Sequence, residues 1–454
     1  MAHTLQKNAL NLAHSVVMGV AGTAPSFSIS ATMATLIGAV GILAPASLLY
    51  CGILMFGITF AYMHLNREEA NAGASYAWVS RVFNRTLGFF AGWTLLVASA
   101  LFMVSATIPA GNATLLLLRP DLVDNHVVVT FVSLGWLVLI SAIVIRGIAL
   151  TAAVQTVMTV IEIAILGIVI VAAAVKFGPN AMHALSWADL SPAAFDPSSF
   201  ASGAVIALFF FWGWDVAVNL TEETRDSARA PGLGAVVAMI IITAAFTAFS
   251  AIVLMTLGDE EISQSSTNVI FGVADKLFPR PWSYIAVLAL MLSTIGTLET
   301  SILQFTRTMF AKSRDGVLHR RWAHVHHAWR TPYAATLLIA GLGCALLLLS
   351  LLFRDVGAVL KASINAIGVQ AAYYYGLAGL ACAWHFRQRA RKSPGALLLM
   401  VVWPALSAIV LWIAAAIAIS EFDTLTAMIA IGGVLLGFIP LTAHRRDTAP
   451  LRRD

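Results

Sequence analysis

Residues 8–66 read NALNLAHSVVMGVAGTAPSFSISATMATLIGAVGILAPASLLYCGILMFGITFAYMHLN, without one Asp, Glu, Lys or Arg between Lys7 and Arg67. A helix needs about 20 apolar residues to cross roughly 30 Å of hydrocarbon, so this run folds back and holds two spans. Other charge-free runs cover Thr86 to Leu118, Asn125 to Ile145, Ala230 to Gly258, Thr331 to Phe353, Ala362 to Phe386 and Ser393 to Ser420. The 454 residues are 59% hydrophobic and 11% charged, with mean hydropathy +0.86. A soluble domain carries about 25% charged residues, so a soluble core is excluded. The expected fold is an all-α polytopic membrane protein with twelve transmembrane helices. They fall at 12–38, 42–64, 87–113, 127–146, 149–175, 200–222, 232–257, 282–309, 332–352, 357–384, 395–419 and 424–442.

With the N-terminus inside, 21 of the 27 Lys and Arg residues fall on one side and 6 on the other. The positive-inside rule then puts both termini in the cytoplasm of the cell (inner) membrane. The net charge of +5 sits in membrane-flanking loops and implies membrane lipid, not nucleic acid, as the partner. The apolar N-terminal stretch reads as an uncleaved first span, because no short core with a clean cleavage site follows Lys7. Cys51, Cys344 and Cys382 lie in apolar runs, with neither a disulfide framework nor metal spacing. His319, His324, His326 and His327 belong to an Arg-rich loop and read as a solvated face, so no metal is expected. There is no Ser–His–Asp arrangement, phosphate loop or zinc spacing. The chain is therefore expected to be no enzyme, to need no cofactor and not to be an ATP-driven pump.

Two spans are interrupted. Span 1 carries Gly22-Thr23-Ala24-Pro25-Ser26, where the proline removes a helical hydrogen bond. In lipid, freed backbone groups are tolerated where they line a cavity, although a packed proline kink is the plainer reading of one such site. Span 6 carries Phe209-Phe210-Phe211-Trp212-Gly213-Trp214-Asp215, five spans later. Five spans reverse the membrane direction, and paired interruptions of that kind point to a transporter's midplane site. A half-helix N-terminus offers free N–H groups and a positive dipole end to a carboxylate.

The loop after span 2 reads Glu69-Ala70-Asn71-Ala72-Gly73-Ala74-Ser75-Tyr76-Ala77-Trp78, followed by Gly88-Phe89-Phe90-Ala91-Gly92-Trp93. Span 6 runs on into Leu220-Thr221-Glu222-Glu223-Thr224-Arg225-Asp226, and span 8 ends Arg307-Thr308-Met309-Phe310-Ala311-Lys312-Ser313-Arg314-Asp315-Gly316. These segments, in this order, resemble the amino acid–polyamine–organocation (APC) permeases. The first resembles their Pro-x-Gly-Gly-x-Tyr … Gly-x-x-x-Gly-Trp signature, without the proline and with Ala74 for the second glycine. The family's Gly-Ser-Gly turn in span 1 is replaced by Gly22-Thr23-Ala24. The resemblance implies a leucine-transporter-type fold of five plus five inverted helices with two extra spans. It would divide the chain into a tail at 1–11 and a first half at 12–222, holding inverted repeat 1 (helices 1–5) and helix 6. Inverted repeat 2 (helices 6–10) would cover 200–384, helices 11–12 would cover 395–442, and a second tail 443–454.

Three acids fall inside spans, where a charge costs on the order of 3 kcal/mol at the bilayer centre and usually faces a cavity or a partner. Asp215 follows the span 6 break; the resemblance gives it a part in proton or substrate binding, while a plain helix cap is the alternative. Glu162 in span 5 stands where many such permeases resemble one another in having a lysine; a proton, an ion or the substrate's own ammonium would neutralise it, making it a proton carrier or a cation partner, or it is a permanently protonated, hydrogen-bonded acid. Glu299 in span 8 lies two turns from Arg307 and is accounted for by snorkelling or pairing near that interface. Ser293, Thr294 and Thr297 bring hydroxyls toward the span 1 break, or bond their own helix. The expected substrate site is Gly22, Thr23, Ala24, Pro25 and Ser26 with Phe209, Phe210, Trp212, Gly213 and Trp214. Phe209 falls where the family has an aromatic gate; Asp215 and Glu162 form the coupling pair. Tyr373, Tyr374 and Tyr375 read equally as pocket lining or packing.

The function expected is secondary active transport of amino acids or closely related small amines by alternating access, as proton-coupled symport. An exchanger of polyamines or other organic amines is the alternative; a channel or a non-transporting sensor is more remote. Substrate and protons are the small partners expected, and oligomeric state is not encoded in these patterns.

Overall fold

In the computed structural model, which describes residues 4–265, 268–352 and 356–445, the apolar runs become helices and no strand forms among those residues. In chain order they are α1 (Leu12–Gly22), α2 (Pro25–Val40), α3 (Ala44–Glu68), α4 (Ser75–Val82), α5 (Arg85–Leu118), α6 (His126–Arg146) and α7 (Ile148–Phe177). Then come α8 (Pro197–Phe210), α9 (Val216–Asn219), α10 (Ala230–Thr256), α11 (Asp259–Ser265), α12 (Val269–Leu277) and α13 (Ile285–Arg314). The last are α14 (Tyr333–Ser350), α15 (Val356–Phe386), α16 (Pro394–Leu397), α17 (Trp403–Ser420), α18 (Thr424–Leu435) and α19 (Phe438–Arg445). Residues 1–3 of the expected N-terminal tail, Arg354, and the C-terminal tail beyond Arg445 lie outside the described residues.

Nine stretches among the described residues are long and apolar enough to cross a membrane, the first of them, Leu12–Glu68, containing α1, α2 and α3. This is the architecture of a multi-pass membrane protein. Polar caps set the helix starts. Asn11 accepts from His14 N–H at 3.0 Å, Asn84 from Leu87 N–H at 2.8 Å and Asp423 from Thr426 N–H at 2.7 Å. Each satisfies an orphan donor of a first turn. Helix ends differ from the expected span limits because a helix runs on past the apolar stretch until something stops it. Thus α3 reaches Glu68 and α13 reaches Arg314. The span expected at 200–222, with its interruption, is α8, a bend and α9.

The long helix α13 is buried continuously from Ser293 to Ser313. It packs on α1, α2, α5, α6, α7 and α14, so its polar residues face protein instead of lipid. At its last turn, Lys312 is fully buried. Its Nζ donates to Phe89 O at 2.9 Å and lies 4.0 Å from the Phe89 ring centroid, with the Tyr76 and Trp93 rings nearby. A Cβ on Gly92 would press on Tyr76 and Lys312. The segments that carry the family resemblance therefore converge on one buried cation. Ala74, where the family has glycine, is held at φ +43°.

Candidate functional site

The first break lies between α1 and α2. Ala24 takes the left-handed conformation (φ +48°, ψ +67°) and Pro25 restarts the helix. The α1 side is closed locally, because Thr23 Oγ1 donates to Val20 O at 2.8 Å. The second break, between α8 and α9, turns on Gly213 at φ +102°. The two breaks touch backbone to backbone. A Cβ on Gly22 would fall on the Gly213 carbonyl, and a Cβ on Gly213 on the Gly22 carbonyl. Only glycine permits this crossing, and at Gly213 the positive φ demands it as well.

Past the first break, the new N-terminus of α2 points its free N–H groups into protein. Ser26 N–H donates to Glu162 Oε1 at 2.9 Å, and Phe27 N–H to Ser293 Oγ at 3.2 Å. The carboxyl of α7 thus sits on the positive end of a half-helix, where anions are stabilised. Thr297 Oγ1 donates to Gly22 O at 3.1 Å, tying α13 to the other side of the break. Thr294 turns back onto its own helix, donating to Leu290 O and Met291 O.

Asp215, fully buried, begins α9 but makes no side-chain cap bond. Its Oδ1 accepts from Tyr375 OH at 2.7 Å, while Oδ2 has no hydrogen-bond partner among the described residues. Tyr375 OH also accepts from Gly213 N–H at 3.2 Å, and Tyr374 OH accepts from Trp212 Nε1 at 2.9 Å. The Trp214 ring stacks on Tyr375 at 5.5 Å, with Tyr62 edge-on to both. One acid with a free oxygen is thereby walled by aromatic faces, the environment that holds organic cations.

Above the breaks, on the face opposite the N-terminus, opens a cavity of about 990 Å³. Phe27 and Phe209 meet at its floor with ring centroids 6.4 Å apart. Below them, Phe102 stands edge-on to Phe27 at 6.1 Å and to Trp212 at 4.9 Å. Phe210 is not part of this layer; it packs edge-on against Phe246 of α10. Among the described residues lining the cavity, the charged side chains are Asp124 and Glu421, both acidic.

The N-terminal face is shut. Arg307 and Glu223, both without solvent exposure, form two parallel bonds of 2.9 Å. Ala9 and Leu10 N–H donate to Glu223 O, and Arg225 N–H to Leu10 O. Arg314 grips Glu222 beside them. Sequence reasoning counted Arg307 and Lys312 among the loop charges, and did not find the Glu223 partner, Gln155 or the roles of Tyr374 and Tyr375. The acidic run after span 6 was the available signal for Glu223. The expected snorkelling or pairing of Glu299 near the interface is corrected, since Glu299 is fully buried and the nearby Arg307 is committed to Glu223.

A profile of the family described as amino acid permease matches residues 10–439. The chain belongs to the amino acid permease family. The low-affinity putrescine importer of Escherichia coli (strain K12) is 25% identical over 348 residues, 74% of this chain and 74% of that one. A branched-chain amino acid permease of Bacillus subtilis (strain 168) is 25% identical over 193 residues, covering 42% of this chain and 39% of the other. A solved mutant of the Eremococcus coleocola manganese transporter shares the fold, with TM-score 0.65 over 96% of this chain and 94% of its own at 12% identity. The protein is accordingly a membrane permease for a small molecule, and not an enzyme.

Proposed function

We propose that this permease moves small organic amines lacking a carboxylate, with proton symport, by alternating access. The observation that carries the reading is the 2.9 Å bond from Ser26 N–H to Glu162. An amino acid would set its carboxylate on that half-helix N-terminus, and the chain's own carboxylate stands there instead. In this reading Asp215 takes the substrate ammonium through its free Oδ2, inside the wall of Tyr62, Trp214, Tyr374 and Tyr375, and Glu162 takes the proton. Gly22, Thr23, Ala24, Pro25, Ser26 and Gly213 shape the crossing, Trp212 backs the pocket, and Phe209 with Phe27 is the gate. The acidic vestibule would raise the local concentration of cations. The putrescine transported by a relative accords with this; the amino-acid reading, favoured by the family's description, requires Glu162 to leave Ser26.

The same reading takes the chain across the membrane twelve times, with α1–α7 forming one inverted repeat and α8–α15 the other. Both termini lie in the cytoplasm of the inner membrane, so the vestibule opens outward. Spans 1, 2, 6 and 7 rock against the rest once the Arg307–Glu223 side releases. The test compares an amino acid with its decarboxylated twin for binding to the purified protein by calorimetry. The amine is expected to bind at least tenfold tighter; preference for the amino acid would overturn the substrate assignment.

A further inference from the structure

The third acid inside the membrane has no role in the scheme above. Glu299 is fully buried on α13, and its Oε2 meets no donor among the described residues. Its Oε1 is held from α7. Oriented by its hydrogen bonds, the Gln155 amide donates from Nε2 to Glu299 Oε1 and to Gly296 O, both at 3.1 Å, and accepts at Oε1 from Thr159 Oγ1 at 3.0 Å. Gly296 leaves room for that amide, since a Cβ there would strike Gln155.

Gln155, Thr159 and Glu162 recur one turn apart on α7 and are all buried. They face α13, which runs antiparallel: Ser293 lies level with the Glu162 end and Glu299 with the Gln155 end. The two carboxyls are thus about two helical turns, roughly 10 Å, apart along one polar seam. Glu162 is at the break and Glu299 nearer the shut N-terminal face.

Among the described residues no cation is bonded to Glu299. The helices α2, α5 and α6 bring no acid or base to it within their lengths, with Arg85, His126 and Arg146 only at their ends; α14 has Tyr333 at its start and Cys344 within it, and α1 has His14 in its first turn. Of the other elements packed on α13, α4 carries Tyr76 and Arg81, α12 carries Asp275 and Lys276 (the latter bonded to Glu261), the turns beside it carry Tyr284, Arg320 and Arg321, and α7 has Lys176 in its last turn. From α9 comes Asp215 at its start; on α13 itself, Arg307 is paired with Glu223 and Lys312 lies at the far end. An ionised carboxylate without counter-charge is costly at such depth. A carboxyl with one oxygen unpartnered fits the protonated form, whereas Glu162, accepting an N–H at a helix start, fits the ionised one.

We infer that Glu299 is the second proton site of the coupling machinery, in series with Glu162, and discharges the proton to the N-terminal face. When that face opens and water reaches the seam, neutral Glu299 gives its proton to water and becomes a carboxylate. Neutral Glu162 then supplies a proton to Glu299 through that water and becomes the carboxylate that accepts Ser26 N–H. Gln155 and Thr159 are positioning residues that hold the two acids on one line. The inference rests on the proton coupling proposed above.

The test uses Glu299→Gln and Gln155→Leu in the full-length protein in liposomes, with putrescine as the probe. Exchange of labelled for unlabelled putrescine, which moves no net proton, is expected within twofold of wild type in Glu299→Gln. Accumulation driven by an inward proton gradient is expected to fall at least tenfold, and putrescine-elicited proton uptake to disappear. Gln155→Leu should show the same split more weakly. Gradient-driven accumulation at wild-type level in Glu299→Gln would overturn the inference. If Glu299→Gln loses exchange as well, wild-type accumulation in Gln155→Leu would overturn it. Wild-type putrescine exchange without proton uptake would instead defeat the coupling reading itself.

Discussion

Replacing Glu162 with alanine should convert a filter against carboxylates into a site for them. In the wild-type protein a substrate carboxylate reaches Ser26 N–H only by displacing Glu162 Oε1 from a 2.9 Å bond. A hydrogen bond to a charged group contributes about 1.5–3 kcal/mol. At 1.36 kcal/mol per decade, that corresponds to an affinity handicap of about 10- to 150-fold for an amino acid against its decarboxylated twin. Glu162→Ala removes the handicap and leaves Ser26 N–H at a positive helix end, so the twin-pair affinity ratio should shift by that factor. Glu162→Gln keeps an uncharged acceptor worth about 0.5–1.5 kcal/mol and should shift the ratio less. The assay is competition of each twin against a labelled amine on purified variants, with Tm confirming the fold. A ratio unchanged within twofold in a folded Glu162→Ala would refute the reasoning, because the half-helix N–H groups would then not face the substrate.

Other consequences concern the frame around the site. Arg307→Met strands Glu223 in a dry interior and should cost about 3–5 kcal/mol, read as a lowered Tm in detergent, while Arg307→Met with Glu223→Leu should recover much of it. Ala74→Gly relieves an alanine held at φ +43° and should raise stability by about 0.5–1 kcal/mol, read as a raised Tm in detergent. Gly213→Ala meets both a positive φ and the Gly22 carbonyl, and should cost at least about 2 kcal/mol with loss of transport; an active, stable variant would contradict the crossing. On the vestibule side, the Lys276 ammonium bonded to Glu261 holds that carboxyl below its usual range. A depressed acid supports structure above its ordinary value of about 4.3 and loses it as pH falls through the lower folded value. Amides of α11 and α12 should therefore exchange faster only below about pH 4, by under about 1 kcal/mol for so exposed a pair.

Much of the site was legible because breaks announce themselves. Gly22, Pro25 and Gly213 are residues that weaken a continuous helix, and the structure breaks at 23–24 and 211–215, although Pro109 lies inside an unbroken α5. Glu162 and Asp215 stood out as acids in apolar runs. What side chains meet across helices was not legible. Phe209 and Phe210 are neighbours in sequence, yet one lines the vestibule and the other packs on Phe246, since the rotation of α8 depends on its partners. Arg307 looked like an interfacial charge from its distance to the loop, but Glu223 reaches it from the segment after α9. Gln155 carries no pattern at all until α13 lies beside it. Ala24 and Ala74 read as departures from glycine, and both hold positive φ, so tertiary packing retains a conformation the substituted residue disfavours.

The most direct test of the account is uptake by the wild-type protein in liposomes, given a mixed panel of amino acids and amines under an imposed inward proton gradient. The account predicts concentrative uptake of an amine such as putrescine, abolished when the gradient is collapsed and not competed by amino acids. Concentrative uptake of an amino acid with amines inert would contradict it.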